Sequence, residues 1–420
     1  MITLKRIFKI SHISNNILTS ILSLFLIIFY VYQDFTKWQI IKFIKAQGPI
    51  LYVDSNTVLY YSSCFSRIGY KVFAAGTECA NWTYGAGILR FLNLIGITQS
   101  NTVLVGHFFT YSIILTFVYF LYLSRNFRFA QITMFMGLIS PSVWLLMERA
   151  NFDALVYLMI FLVSVLFAKG FEIMPTIIVF LSATFKFYTL PLLLIPIQLS
   201  KKIHTKFLGI LALFFGLIII FNDYTLMNGK IVQAGNNHFG MKIIGNYLGK
   251  IGIKLNIASA YVLGAILIFA CILVIVSLLS KVEPLFLHNE LFPVQIKTFY
   301  IFMSSTFLLC FVVGLSVDYR LIFYLVSAPF LITLITSRLK FIISGVFLFG
   351  AWLCYPSGFF QTFGDFALDL IASLQIIVLT LFFGRGKDIL VNTNRNLSNL
   401  SNSIIGKLKS WVRSKFLLFQ

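Results

Sequence analysis

Apolar residues along this chain gather into a series of long runs, separated by short stretches of charged or turn-forming residues. A helix that crosses about 30 Å of hydrocarbon needs roughly 20 mostly apolar residues, and many of the runs approach that length. They predict an all-α integral membrane protein with about 12 transmembrane helices. The predicted spans are residues 16–33, 102–123, 129–147, 154–168, 171–184, 187–199, 207–222, 258–280, 298–316, 320–336, 341–355 and 364–384.

Two short runs in the middle of the chain, 171–184 and 187–199, decide the predicted topology. Both contain proline, and joining them into one span would move every later loop to the other side of the membrane. Lysine and arginine concentrate in the cytoplasmic loops of membrane proteins. With two separate spans, 20 of the 33 basic residues fall on the side of the N-terminus. The sequence therefore predicts two spans here and places both chain termini in the cytoplasm.

The segments between the spans define the domain organisation. Residues 1–384 form one polytopic transmembrane domain, and residues 385–420 form a cytoplasmic tail that is basic and amphipathic. A long first external loop covers about 34–101. Within it, 57–67 and 87–96 alternate apolar and polar residues in a way that predicts short amphipathic helices on the membrane surface. A second external segment, about 223–257, is rich in glycine, asparagine and lysine.

Composition agrees with a bilayer environment, since 59% of the residues are hydrophobic and 11% are charged. Soluble domains have about 25% charged residues. The formal net charge of +20 would suit a nucleic acid partner, but the basic residues concentrate on the predicted cytoplasmic side. There they face the anionic headgroups of the inner leaflet. We therefore predict membrane lipids, and no nucleic acid, as partners.

The five cysteines divide into two groups. Cys271, Cys310 and Cys354 lie in apolar runs and are predicted to be small core residues. Cys64 and Cys79 share the first external loop. Disulfides persist in oxidising compartments, so these two cysteines would pair if the loop faces such a compartment. The sequence leaves that pairing open.

Charged and hydrogen-bonding side chains gather at turns on the predicted outer side. Ionisable groups at membrane depth are costly, which makes them functional candidates. We expect those drawn from four separate turns to converge in one cavity that opens away from the cytoplasm. They are Asp54 in the first loop, Glu148, Arg149, Asn151 and Asp153 after the third span, Lys186 and Tyr188 after the fifth, and Asp318, Tyr319 and Arg320 after the ninth.

Each of these groups also has an ordinary structural interpretation. The alternatives are a local salt bridge between Glu148 and Arg149, a Lys186 that extends to the membrane interface, helix caps at Asp318 and Arg320, and a solvated Asp54. Their common position on one side favours a functional interpretation. A membrane cavity that holds both carboxylates and cations suits an anionic, lipid-linked substrate.

Four stretches carry motifs of a known family, in the family's order, over residues 50–325. Residues 140–153 contain SPSVW followed by ERANFD, similar to an SP…W…ERGN-x-D turn, with Ala150 at the position of the glycine. Residues 183–191 (ATFKFYTLP) are similar to FKLYPLP, and 317–323 (VDYRLIF) to DYRLIF. In the first loop, VDSNT and then NWTYG are similar to AD-x-x-T and NYP. The chain thus resembles the GT-C superfamily of membrane glycosyltransferases, in particular the family 87-like enzymes.

The resemblance implies a GT-C-like bundle in the bacterial inner membrane, with its active site on the outer face. Its donor would be a polyprenyl-phosphate-linked sugar, its acceptor a glycan or glycolipid, and it would need no cofactor. Inverting transfer requires a carboxylate that accepts the proton of the acceptor hydroxyl and cations that stabilise the departing phosphate. We predict Asp54 as the base, with Asp34 as second candidate, and Arg320, Lys186 and Arg149 as the phosphate-binding cations. The substrate-orienting residues would be Glu148, Asn151, Asp153, Tyr188, Asp318, Tyr319 and His238.

Other activities remain open at the level of sequence. The carboxylates are dispersed, without a His/Glu pair at helical spacing, so no metal requirement is predicted; a glycine-rich nucleotide loop is also missing from the sequence. A transporter or flippase for lipid-linked saccharides would also need a charged cavity, but would carry polar residues through the membrane core. A polysaccharide polymerase or ligase would share the external cavity and the lipid-linked substrate.

Overall fold

The chain folds into a bundle of helices. The computed structural model describes residues 2–38, 52–73, 79, 82, 85–200, 202–226, 238–239, 259, 262–266, 268–269, 294–313, 316–317, 320–334, 339–353 and 359–382. The helices are α1 (Ile2–Phe35), α2 (Val53–Ile68), α3 (Ala86–Leu94), α4 (Thr102–Leu123), α5 (Arg128–Leu138), α6 (Pro141–Arg149), α7 (Asp153–Ala168), α8 (Ile173–Phe185), α9 (Leu194–Leu199), α10 (Ile203–Leu226), α11 (Val294–Val313), α12 (Leu321–Leu334), α13 (Leu339–Leu353) and α14 (Phe359–Phe382).

Helices occupy most of each predicted apolar run for which the structure describes more than a few residues. Within the described ranges, four stretches are long and apolar enough to cross a membrane, and α5 with α6 makes a fifth if that bent pair counts as one span. The four are Asn15–Phe35, Gln99–Leu123, Ile203–Asp223 and Val294–Val312. Helices α7, α8, α12 and α13 are apolar but shorter. The predicted run 258–280 and the tail 385–420 lie largely or wholly outside the described residues.

The exposed face of α4 is apolar, as expected of a helix in contact with lipid. Leu104, Phe108 and Leu115 lie at helical spacing, and their exposed fractions are 68%, 57% and 70%. The opposite face of α4 is buried in the bundle. A helix that is hydrophobic on all sides belongs to a large core or to a membrane span. The exposed face of α4 is too apolar to be stable in water but would be stable in contact with lipid chains. Together with the four long apolar stretches, this indicates a membrane protein.

The predicted span 129–147 is not one continuous helix. It divides into α5 and α6, whose axes differ in direction by 49°. Ser140 is extended, with ψ 157°, and Pro141 is the first residue of α6. Proline disfavours the helical conformation of the residue before it and has no N–H to donate. Pro141 therefore ends the hydrogen-bond pattern of α5 and redirects the chain, so that α6 approaches the turn at 150 from a different angle.

The predicted span 187–199 is likewise not a regular α-helix. Residues Phe187–Leu193 form a 3-10 helix that contains Pro191, and the six-residue α9 follows. The break falls at Lys186, whose extended backbone separates α8 from the 3-10 segment. Irregular backbone is tolerated at membrane depth where protein surrounds it. Most of this segment is buried, which satisfies that condition.

The two helices predicted in the first loop are present as α2 and α3. Helix α3 packs against the C-terminal end of α8, where a side chain on Gly87 would collide with the backbone carbonyl of Thr184. The end of α10 also reaches α3, since the Asp223 carboxylate accepts a hydrogen bond of 2.9 Å from the Ala86 amide at its first turn. Acidic groups stabilise helix N-termini. The loop is thus attached to the bundle from two directions.

A disulfide between Cys64 and Cys79 closes part of the first loop, so the pairing that the sequence left open is present. We expect a Cys64→Ser/Cys79→Ser variant to lose about 3 kcal/mol of stability, because the bond closes a loop of roughly 15 residues in the unfolded chain. Thermal unfolding in detergent, with and without reductant, measures this loss. The variant is the control for the effect of reductant, which should lower the unfolding temperature of the wild type and leave that of the variant unchanged. An equal decrease in both proteins would contradict the prediction.

Aromatic side chains hold α4, α7 and α11 together in the centre of the bundle. The Phe120 ring lies 4.9 Å from that of Phe299 and 5.6 Å from that of Phe161, and the last two rings are 5.2 Å apart, all between centroids. Aromatic pairs in such edge or tilted arrangements add to the burial of their surface. This cluster fixes the axis of α7, whose N-terminus carries the charged turn.

Candidate functional site

The turn between α6 and α7 is held in place by the start of α2. The Tyr52 amide donates to the Glu148 carbonyl over 3.1 Å, and the Ser55 hydroxyl donates to the Ala150 carbonyl. Ala150 has a left-handed backbone, with φ 45° and ψ 49°. Glycine adopts that conformation most readily, which gives a physical reason for the glycine at this position in the motif that the sequence resembles.

Asp54, the predicted base, contacts this turn through two side chains. The Arg149 guanidinium donates from Nε over 3.0 Å to each carboxylate oxygen, and from a terminal nitrogen over 2.5 Å to Oδ1. The amide of Asn151 donates to Oδ2 over 2.6 Å. Charge-assisted pairs of this kind are shorter and stronger than neutral hydrogen bonds. Asp54 and the turn at 148–153 are therefore brought together, as the sequence predicted.

Asp153 forms a second cluster with the other predicted cations. Its carboxylate is fully buried and accepts hydrogen bonds from Arg320 Nε at 2.9 Å and from the Tyr188 hydroxyl at 2.8 Å. Lys186 Nζ lies 3.7 Å away. The Arg320 guanidinium also lies over the Tyr188 ring, 5.0 Å from its centroid. Lys186 is buried and ion-paired, so the interpretation of a lysine extending to the interface is wrong.

Asn151 connects the two clusters. Its Nδ2 donates to Asp54, while its Oδ1 accepts a hydrogen bond of 2.8 Å from the Asp153 amide at the start of α7. An amide side chain has both donor and acceptor capacity, which suits this bridging position. The result is one hydrogen-bonded network that contains side chains from α2, the turn at 149–153, the break after α8 and the start of α12.

A short antiparallel pairing brings another predicted segment close to Arg320. Strand β1 (His238–Phe239) pairs with β2 (Ser316–Val317), and His238 lies opposite Val317. The backbone of His238 is therefore beside the segment that leads to Arg320. Asp318 and Tyr319, two predicted substrate-orienting residues, lie outside the described residues. Glu148, the remaining member of that group, is buried at the end of α6.

Asp34, the second candidate base, has hydrogen-bond partners that differ from those of Asp54. It lies near the end of α1 and accepts hydrogen bonds from the hydroxyls of Tyr52 and Tyr111, the latter at 3.0 Å. His107 Nδ1 is 2.8 Å from its Oδ2. Burial and the adjacent Asp34 carboxylate hold the pKa of the Tyr52 hydroxyl well above its usual value, so that it stays protonated and donates.

Sequence reasoning missed His107, Tyr52 and Tyr111. His107 and Tyr111 lie one helical turn apart in the predicted span 102–123, a spacing that puts them on one face. That spacing, close to the start of a predicted span and near an aspartate at the end of another, is the signal that would have identified them. Asp223 was also missed, and it connects α10 to the first loop as described above.

No group of three His, Cys, Asp or Glu side chains that could hold a metal ion is present among the residues that the structure describes. The absence of a metal requirement stays a prediction. In comparisons with protein-family models, with curated proteins and with solved structures, no match to this chain is found.

Proposed function

We propose that this protein is a membrane glycosyltransferase that moves a sugar from a polyprenyl-phosphate-linked donor to an acceptor hydroxyl on the external face of the membrane. The observation that carries the proposal is the meeting of three cations, from the end of α6, the break after α8 and the residue before α12, in one hydrogen-bonded network. Arg149, Lys186 and Arg320 each lie within 4 Å of an acidic group belonging to a single network. A lipid-linked phosphate is an anion that such a set of cations would bind at membrane depth.

The chemistry of the transfer explains why both signs of charge are needed. As the sugar leaves its carrier, negative charge develops on the departing phosphate, and preorganised cations stabilise that charge. Arg320 and Lys186 would do this, with Asp153 holding both in position. An acceptor hydroxyl must also lose its proton, and a carboxylate is suited to accept it. Asp54 and Asp34 are the two candidates for that step.

The topology that we propose has 12 spans, both termini in the cytoplasm, and a GT-C-like arrangement of the family 87-like type. The disulfide of the first loop supports an external position for that loop, because disulfides persist in oxidising compartments. The apolar exposed helix faces would border the isoprenoid chain of the donor. In a bacterium this corresponds to the inner membrane, with the site facing outward.

The direct test supplies membrane vesicles that contain the protein with polyprenyl-phosphate sugars carrying a radiolabelled hexose. If the protein transfers the sugar, the label should enter a glycan or glycolipid fraction. Polyprenyl phosphate should be released in an amount equal to that of the labelled product. Vesicles without the protein are the control. Movement of the intact labelled lipid across the bilayer, with no cleavage, would instead indicate a transporter. Failure of every donor to be cleaved would contradict the proposal.

The proposed orientation predicts opposite labelling at the two ends of α4. Ser100 and Asn126 are both exposed and lie just before and just after this helix. We expect a membrane-impermeant maleimide to label Ser100→Cys in intact cells and Asn126→Cys only after permeabilisation. The two variants serve as matched controls for each other. Labelling of Asn126→Cys in intact cells, with Ser100→Cys protected, would reverse the topology and place the candidate site on the cytoplasmic side.

A further inference from the structure

Asp34 and His107 form a pair in which the aspartate is buried and the histidine is partly exposed. The Asp34 side chain is 3% exposed and lies behind the imidazole, whereas the His107 side chain is 39% exposed. The Tyr111 ring is stacked on the imidazole with centroids 6.0 Å apart, and the Tyr52 ring meets it edge-on at 5.7 Å. Two tyrosines and one aspartate therefore fix the orientation of the ring, while part of the ring stays accessible.

The partners of Asp34 determine which nitrogen of His107 carries the proton. A carboxylate only accepts hydrogen bonds, so Nδ1 at 2.8 Å from Asp34 Oδ2 must be the donor. In the neutral imidazole the lone pair then resides on Nε2. An imidazole oriented in this way by a buried carboxylate is the arrangement in which histidine accepts protons from hydroxyl groups.

Tyr52 joins this pair to the hydrogen-bonded network that contains Asp54, Asn151 and Asp153. Its hydroxyl donates to Asp34, while its backbone amide donates to the Glu148 carbonyl. Its ring also fills the space against Gly106, the residue before His107, where any side chain would collide with it. The pair and the charged turn are thus separated by the length of one tyrosine side chain, and both are positioned by the same residue.

We propose that His107 is the proton acceptor for the acceptor hydroxyl, with Asp34 as the residue that positions it; this inference rests on the transferase function proposed above. Asp54, which is bound by Arg149 and Asn151, then belongs to the framework of the phosphate-binding network. The assignment adds a histidine from α4 to the reaction and gives the two aspartates separate roles.

The step balances without any further reactant. His107 Nε2 takes the proton of the acceptor hydroxyl as its oxygen attacks the anomeric carbon of the donor. The bond between that carbon and the phosphate oxygen breaks, and its electron pair leaves with the polyprenyl phosphate beside Arg320 and Lys186. The imidazolium is stabilised by the negative charge of Asp34 and returns its proton to water. The products are the glycosylated acceptor and polyprenyl phosphate.

The key variant is His107→Asn, because the Asn Nδ2 can replace Nδ1 as a donor to Asp34 but offers no basic nitrogen. We expect thermal unfolding close to that of the wild type and a loss of transfer of about 10²- to 10⁴-fold, the usual contribution of general base catalysis. His204→Asn is the matched control, since His204 is exposed at the start of α10 and remote in sequence from the pair. The His204→Asn variant should transfer sugar at the wild-type rate.

The pH profile separates a base from a merely structural residue. The titratable groups that face the imidazole are Asp34 from α1, Tyr52 from the segment before α2, and Tyr111 from α4. Removal of a general base abolishes the acidic limb of the pH–rate profile, whereas removal of a structural residue leaves that limb in place. The residual transfer of His107→Asn should lack this acidic limb. An unchanged limb in a variant that folds normally would overturn the inference.

A second readout follows the histidine itself. Diethyl pyrocarbonate should acylate His107 in the wild type, and transfer should be lost at the same rate as His107 is modified, measured by mass spectrometry. Transfer that continues at the unmodified rate after complete modification of His107, or a His107→Asn variant that transfers at the wild-type rate, would overturn this assignment and leave the transferase proposal standing. Absence of transfer by the wild type with every donor would overturn both.

Discussion

An Asp153→Ala variant is expected to lose about 3–5 kcal/mol of stability, which is the usual cost of breaking a buried ion pair from one side. The Asp153 carboxylate is fully buried between Arg320 and Lys186, whose side chains are 14% and 8% exposed. Its removal leaves two cations in a poorly solvated position. Thermal unfolding in detergent and the yield of monodisperse protein measure the loss.

Two further variants show whether the loss comes from charge or from shape. Asp153→Asn keeps the volume of the side chain and removes its charge, so it should destabilise the protein nearly as much as Asp153→Ala. Adding Lys186→Met to Asp153→Asn removes one of the two unpaired cations and should recover part of the stability. Additive effects of the two substitutions would contradict a direct coupling between these residues.

Arg320→Lys is expected to reduce sugar transfer by about 10²- to 10³-fold, comparable to the loss of one preorganised donor to a developing oxyanion. Lysine keeps the positive charge but cannot reproduce the planar arrangement of a guanidinium. The loss should appear mainly in kcat, because in the proposed reaction the phosphate gains negative charge as its bond to the sugar breaks. The assay is the release of polyprenyl phosphate from a labelled donor.

Arg90→Lys provides the matched control for Arg320→Lys. Arg90 is exposed in the middle of α3, and its guanidinium lies over the Tyr70 ring, 5.1 Å from the centroid. Its replacement should leave transfer within about twofold of wild type, since Arg90 is exposed and exposed charges contribute little to interaction energies. Equal losses in both variants would indicate a general effect of charge at the outer surface and contradict a specific role for Arg320.

The positions of the helices were predictable from the sequence, because the requirement for an apolar run of a given length is strong in a membrane. The predicted run 102–123 has the same limits as α4, and the two amphipathic segments of the first loop are helical. The bends were less predictable. Proline indicates where a hydrogen-bond pattern is interrupted, but the 49° change of direction at Pro141 depends on how α5 and α6 pack against their neighbours.

The candidate site was predictable in part. The contact between Asp54 and the turn at 148–153 was expected from the common side of the membrane, and it is present. The partition into two clusters was not expected, since sequence spacing does not determine which acid faces which cation. His107 escaped attention because a single histidine within an apolar run resembles a core residue. Its contact with Asp34 becomes visible only when α1 and α4 are placed side by side.

The bridging amide of Asn151 has a consequence for motion. One end of this side chain is attached to α2 through Asp54, and the other end to the first peptide group of α7. A displacement of α2 would therefore act on the helix that carries Asp153. In the proposed enzyme, the arrival of an acceptor near α2 and the breaking of the donor bond beside the buried carboxylate would be linked through this single residue.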